Sequence, residues 1–157
     1  MATQQSVFTT SADITERTVA ENKTAQAFLT NIPITSGHTL VIPKRAVATI
    51  EELTSEELHD IFELVAVVKK ALRKAYGAEG FNCAWNEGSN YGQSVPHFHL
   101  HIVPRTPGDE GITDYDPRKF LYRPGSRAES PEDELITAAQ LIKQATQGVG
   151  SNGKNLV

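Results

Sequence analysis

Cysteine is nearly missing from this 157-residue chain, where Cys83 stands alone. An internal disulfide is therefore excluded, and the usage suits a reducing compartment. Long apolar runs are missing as well: no stretch approaches the roughly 18 consecutive apolar residues that a membrane helix needs. The first twenty residues, MATQQSVFTTSADITERTVA, lack a charged stretch followed by an apolar one. No secretory signal is expected from them, and the cytoplasm is the expected location. A surplus of positive charge is absent too. The formal net charge of −4 leaves no basic stripe to displace counterions, which argues against nucleic acid as a partner. Small anionic ligands stay open, because their recognition depends on local charge.

What is present suits one domain with a real core, at 39% hydrophobic residues. Short strand patterns come first: SVFT near 6–9, ITERTVA near 14–20, TAQAFLT near 24–30 and HTLVIP at 38–43. Polar and turn residues separate them. The period then changes. Leu58, Ile61, Val65, Val68, Leu72 and Ala75 recur at three- and four-residue steps, the stripe of an amphipathic helix. Thr54 and Glu57 form a capping box at its start, and Gly77 suits its end. Two more strands follow, GFNCAWN near 80–86 and HFHLHIVP near 97–104, joined by EGSNYGQSVP. A polar loop fills about 105–129, and a last helix starts at Ser130 with Pro131 in its first turn and fades near Gln147. The expected organisation is a single domain over 1–147 with a flexible tail over 148–157. Its class is α+β, a mainly antiparallel sheet carrying the long helix on one face.

The stretch SVPHFHLHIVPR places three of the five histidines at every second position. On a strand, His97, His99 and His101 share a face, with neighbours about 6–7 Å apart along the backbone. Phe98, Leu100 and Ile102 then face the helix. Three readings remain open. The rings could decorate a solvated face. They could grip zinc, although the i+4 ring falls far along the strand for a tetrahedral set and neither CxxC nor HExxH accompanies them. Or one imidazole could be a nucleophile supported by its neighbours, with phosphorus as its partner. The middle ring, flanked on both sides, is the natural attacker.

HFHLHIV preceded by GQSV resembles the signature of the histidine-triad nucleotide hydrolase and transferase superfamily, and GHTLVIPKR is similar to its second marker. NEGSNYGQSV and the following VPR look more like the dinucleoside-polyphosphate-cleaving, fragile-histidine-triad-like branch and its bacterial relatives. The resemblance runs from about residue 25 to 110. It implies a five-stranded sheet with one long helix and a C-terminal helix. It also implies attack by His99 on an α-phosphorus, a nucleotidyl-histidine intermediate, and release of a mononucleotide such as AMP from a diadenosine polyphosphate. His97 and His101 would bind phosphate oxygens, Gln93 and Ser94 would sit near the phosphate bridge, and Asn86 would contact phosphate. The nucleophile requires no metal, and Mg²⁺ is allowed as a companion of a polyphosphate. Other adenylyl compounds, adenylyl sulfate or an AMP phosphoramidate, are alternatives, as is a nucleotide-binding sensor without turnover. Relatives form two-fold dimers joined edge to edge, so a homodimer is expected.

Several residues carry weaker signals. Gly88, Ser89, Asn90 and Gly92 could offer backbone N–H groups to a phosphate or form an ordinary hairpin connection. His38 resembles an additional histidine that supports the active region; capping the strand is the plainer reading. The family places Asp or Asn on the ribose where this chain has Thr30, and a hydroxyl offers fewer contacts. Asn31 should face the other way unless the strand bulges. Phe28 lies where the family packs the base, and Phe8 is a second candidate for that wall; both also suit a core. Lys44, Arg45 and Arg105 could steer an anion or be solvated strand ends. His59 sits off the helix stripe and carries no expected role.

Overall fold

The computed structural model describes residues 5–109 and 129–148. Two short helices, α1 (Val7–Thr10) and α2 (Ala12–Glu16), lead into strands β1 (Thr18–Glu21), β2 (Ala25–Leu29) and β3 (Thr39–Pro43). After a 3₁₀ turn at Ile50–Glu52 come the long helix α3 (Ser55–Tyr76) and strand β4 (Gly80–Ala84). A second 3₁₀ turn, Ser89–Tyr91, precedes β5 (Leu100–Arg105), and α4 (Glu132–Gln147) ends the described chain. The five strands form one antiparallel sheet in the order β1-β2-β3-β5-β4. This is the expected α+β architecture. Among the described residues, no helix is long and apolar enough to cross a membrane.

Helix α3 begins as its residues dictate. Thr54 Oγ1 accepts from the Glu57 N–H at 3.2 Å while Glu57 Oε2 accepts from the Thr54 N–H at 2.8 Å. At the other end Gly77 is left-handed (φ 65°), a conformation that costs a residue with a side chain about 1–2 kcal/mol. The apolar stripe of α3, Ile61, Leu64, Val68 and Leu72, meets Ala27 and Leu29 of β2, Val41 of β3 and Leu100 and Ile102 of β5. Leu135, Ala139 and Ile142 of α4 close the same core. Arg17, which no sequence pattern singles out, ties α4 to the sheet: it donates to Leu29 O at 2.9 Å and pairs with Glu132 at 3.0 Å. The opposite sheet face has a smaller cluster, Phe28, Leu40 and Ile42 under Ile14 and Phe8. Both helices lie on one side, so the other side is left for a site.

Three expectations about elements change. SVFT is helical, because Ser6 turns its Oγ onto the Phe8 N–H (3.2 Å) and caps α1. ITERTVA splits into α2 and a strand that begins only at Thr18. The histidine strand begins at Leu100, not His97. Its pairing with β3 runs Thr39↔Ile102, Leu40↔His101, Val41↔Leu100. One step further along β3 stands Ile42, then Pro43, which has no N–H for a ladder. The Phe98 N–H goes instead to Val47 O at 2.6 Å. Smaller shifts occur elsewhere: β4 stops at Ala84, and α4 starts at Glu132 with Pro131 as its N-cap. The proposed tail beyond Gly148 and most of the 105–129 loop lie outside the described residues.

Candidate functional site

On the face away from α3 lies a cavity of about 150 Å³. Phe8, Phe28, Leu40, Ile32, Ile34 and Val95 form its apolar side, and His99, His101, Asn86, Gly92 and Ser94 its polar side; Thr30 and Asn31 complete the wall. Strand alternation explains Phe28, Leu40 and His101, whose chain neighbours Ala27, Leu29, Val41, Leu100 and Ile102 all belong to the core behind the sheet.

The imidazoles are fixed by hydrogen bonds that also place their protons. His99 Nδ1 lies 2.7 Å from the backbone oxygen of His97. A carbonyl only accepts, so Nδ1 carries the proton and Nε2 keeps its lone pair. His38 Nδ1 accepts the Ile34 N–H at 3.1 Å, which puts the His38 proton on Nε2. That nitrogen stands 3.0 Å from His101 Nδ1 and donates to it, leaving His101 protonated at Nε2. The cavity thus holds a nucleophilic nitrogen on His99 beside a ring, 5.1 Å away between centroids, whose outer nitrogen is a donor. Burial pushes the pKa of His99 below the usual 6.5, although its bond to the His97 carbonyl works the other way. The ring is therefore neutral at pH 7.

His97 departs from the expectation of a shared imidazole face. It is fully buried, and its Nε2–H donates to Pro43 O at 2.7 Å. It is not in the cavity wall. Because residues 97–99 precede the strand, the period-two argument does not govern that ring. Its Nδ1 is buried with no hydrogen-bond partner among the described residues, and burial also lowers its pKa. The rings of His99 and His101 share the wall; that of His97 stands behind, so the three do not gather about one point. Among the described residues, side chains close enough together to share a metal ion are His59, Asp60 and Glu63 on α3.

The connecting loop is held together largely by its own hydrogen bonds. Gly88 and Gly92 have positive φ (89° and 99°) on either side of the 3₁₀ turn, which a side chain would strain. Three of the loop N–H groups are used within it: Tyr91 and Gln93 donate to Gly88 O, and Gly88 donates to Gln93 Oε1. Of the four residues offered as an anion nest, Gly88 is the one whose N–H is engaged in these bonds. Gln93 is buried, gives its Nε2–H to Ala48 O at 2.7 Å, and does not line the cavity. Ser94 lines it and is exposed. Asn86 lines it and spans the loop to Gly92 O at 3.4 Å.

On the apolar side, β2 ends at Leu29, so Thr30 and Asn31 lie past the strand and both reach the cavity. Strand alternation continued past Leu29 would put Asn31 on the opposite face. Thr30 Oγ1 accepts the Ile32 N–H at 3.3 Å. Phe8 is more than core: its ring centroid is 5.4 Å from Phe28, 5.3 Å from His99 and 5.7 Å from His97. The basic residues are paired: Lys44 with Glu21, Arg45 with Glu57, and Arg105 with Asp109 and Asn82. Leu40 was missed in the sequence, yet HTLVIP places it two residues after His38 on the same face. Ile32, Ile34 and Val95 lie in irregular segments, where no periodicity points to them.

A family model described as the HIT domain matches residues 11–108. An asymmetrical bis(5'-nucleosyl)-tetraphosphatase of Schizosaccharomyces pombe is 42% identical over 87 residues, which are 55% of this chain and 48% of that protein. The chain thus spans about half the length of that yeast relative. The protein named hit of Bacillus subtilis is 38% identical over 100 residues, 64% of this chain and 69% of its own. A hypothetical histidine triad nucleotide-binding protein from Sulfolobus tokodaii has the same fold, with a TM-score of 0.71 at 24% identity over 90% of this chain and 91% of that one.

Proposed function

This chain belongs to the HIT domain family, and on that premise we propose that it is a nucleotide hydrolase cleaving a phosphoanhydride at the α-phosphorus of a dinucleoside polyphosphate, of the diadenosine type, with release of AMP. The observation that carries this reading is the His99 ring, whose Nδ1–H is held on the His97 carbonyl while a neutral Nε2 faces chemistry in a cavity shared with His101.

In the first step Nε2 of His99 bonds to phosphorus and the bond to the bridging oxygen breaks. The departing phosphate keeps the electron pair and, being already a weak base, needs little proton help. The ring becomes cationic as it bonds, and the His97 carbonyl opposite Nδ1–H stabilises that charge. His101 Nε2–H is the donor for a non-bridging oxygen. Water then attacks phosphorus and Nε2 leaves, giving AMP and the resting ring. Phe28 and Phe8 offer the base an apolar wall, Thr30 and Asn31 meet the sugar, and Asn86 and Ser94 flank the phosphates. His97 and Gln93 support this site from behind. A cavity of about 150 Å³ is smaller than a dinucleoside polyphosphate, so much of such a substrate, the second nucleoside included, projects outward. Mg²⁺ would be bound by the polyphosphate itself.

Rapid quenching after mixing with diadenosine tetraphosphate, followed by mass spectrometry, tests the proposal. An adenylyl group on His99 and free AMP are the expected results; binding without AMP would leave a sensor and overturn it. The two-fold dimer belongs to the same reading. Strand β4 ends the sheet order and carries exposed Cys83, with exposed Trp85 just beyond it. Sedimentation at a mass near twice the 17.2 kDa of one chain would support that assembly.

A further inference from the structure

Between the end of β3 at Pro43 and the 3₁₀ turn at Ile50 the chain has no regular structure. Yet this segment supplies four backbone groups to the stretch that carries the site. Pro43 O accepts the His97 ring N–H at 2.7 Å, and Val47 O accepts the Phe98 N–H at 2.6 Å. Ala48 O accepts the Gln93 amide at 2.7 Å, and the Ile50 N–H donates to Glu87 Oε1 at 2.8 Å. The bonded residues alternate along the chain with Asn86, Gly92, Ser94, Val95 and His99, which face the cavity. An irregular segment can serve as such a template only if something fixes it in turn.

Arg45 does so. Its Nε and Nη2 reach Glu57 Oε1 and Oε2 at 2.9 and 2.8 Å, and Nη2 also donates to Glu52 O at 2.7 Å. Two parallel bonds fix a guanidinium in direction as well as distance. Glu57 is buried and is itself held by Thr54 in the α3 capping box. The rigid first turn of α3 is thereby connected, through Arg45, to the segment against which the loop and the His97 carbonyl are set.

We propose that the Arg45–Glu57 pair is a positioning device for the histidine site, acting through the 43–50 segment on the 87–99 stretch and so on the carbonyl that orients His99. Arg45 is thus not a substrate contact, although its charge at a strand end suggests one. The kinetic arm below rests on the proposed hydrolase reading; the spectroscopic arm does not.

The test uses the full chain and three variants: Arg45→Met, Arg45→Lys, and Glu57→Gln, which keeps an acceptor for the Thr54 N–H. Without ligand, the His97 Nε2–H and His99 Nδ1–H protons, both held on buried carbonyls, are followed by proton NMR. Arg45→Met and Glu57→Gln are expected to speed their exchange with water about tenfold relative to the core amides of α3 and β2, with Arg45→Lys between them and the parent. Should Arg45→Met fail to fold, the other two variants carry the same measurement. With diadenosine tetraphosphate, kcat should fall about tenfold with KM within about twofold, as expected for misplacement by a fraction of an ångström. Ring protons that exchange as before, or that speed up only in step with every amide, overturn the proposal. So does a rise in KM alone that disappears at high salt, since Arg45 would then be touching phosphate. A parent chain that cleaves no phosphoanhydride ends the hydrolase reading, while the NMR comparison still decides this one.

Discussion

His38 Nε2 stands 3.0 Å from His101 Nδ1, and the Ile34 N–H behind His38 sets the direction of that hydrogen bond. One backbone amide thus determines which nitrogen of a ring two residues removed in space carries its proton. Replacing His38 by Ala should remove the ring that donates to His101 Nδ1. We expect kcat to fall roughly ten- to a hundredfold with KM little changed, the usual loss when an orienting partner is removed. Steady-state AMP release against substrate concentration checks it; an unchanged kcat would leave His38 a strand cap.

His99→Ala removes the proposed nucleophile but leaves the Phe8 and Phe28 rings in place. Turnover should drop at least about a thousandfold while nucleotide binding survives. Calorimetry with AMP beside the AMP-release assay separates the two effects, and near-parental rates would remove His99 from its role.

Both buried imidazoles, His97 and His99, titrate below 6.5 because burial disfavours the charged form. The acid limb of kcat/KM, which reports the free enzyme, should therefore have its midpoint below 6.5. Stability follows the same sign. Near pH 6 the unfolded chain binds more protons than the folded one, so the stabilisation is complete above about 6.5 and is lost as pH falls from there towards the folded values. Urea midpoints at a series of pH values test this; a midpoint that rises on acidification through that window would contradict it.

Thr30 meets the cavity with one hydroxyl whose oxygen already accepts from Ile32. Thr30→Asn adds a second polar atom at the expected ribose position. KM for a ribonucleotide substrate should fall about three- to tenfold, the worth of one added hydrogen bond. The analogue without ribose hydroxyls should show no gain, and an equal gain for both would place the sugar elsewhere.

The α3 helix was legible to the residue at its cap, because a capping box and a glycine stop are local chemistry written in consecutive positions. The direction of Phe98, Leu100 and Ile102 into the core was equally legible, since each is a neighbour of the polar residue it alternates with. The helices α1 and α2 were not: short runs of Val, Phe, Ile and Thr suit a strand, and at α1 the Ser6 hydroxyl on the Phe8 amide decides otherwise.

By itself the sequence determined the class of fold, the long helix and the stretch that brings histidines to the cavity, because periodicity and capping act within one segment. Tertiary structure decided which imidazole shares the cavity wall with His99 and which lies behind it. Pro43 cannot extend the ladder, so residues 97–99 leave the strand and His97 turns its ring onto Pro43 O. It also decided where each proton sits, through the carbonyl of His97 and the amide of Ile34. Backbone groups are the same in every residue, so their use as partners cannot be read until the chain has folded.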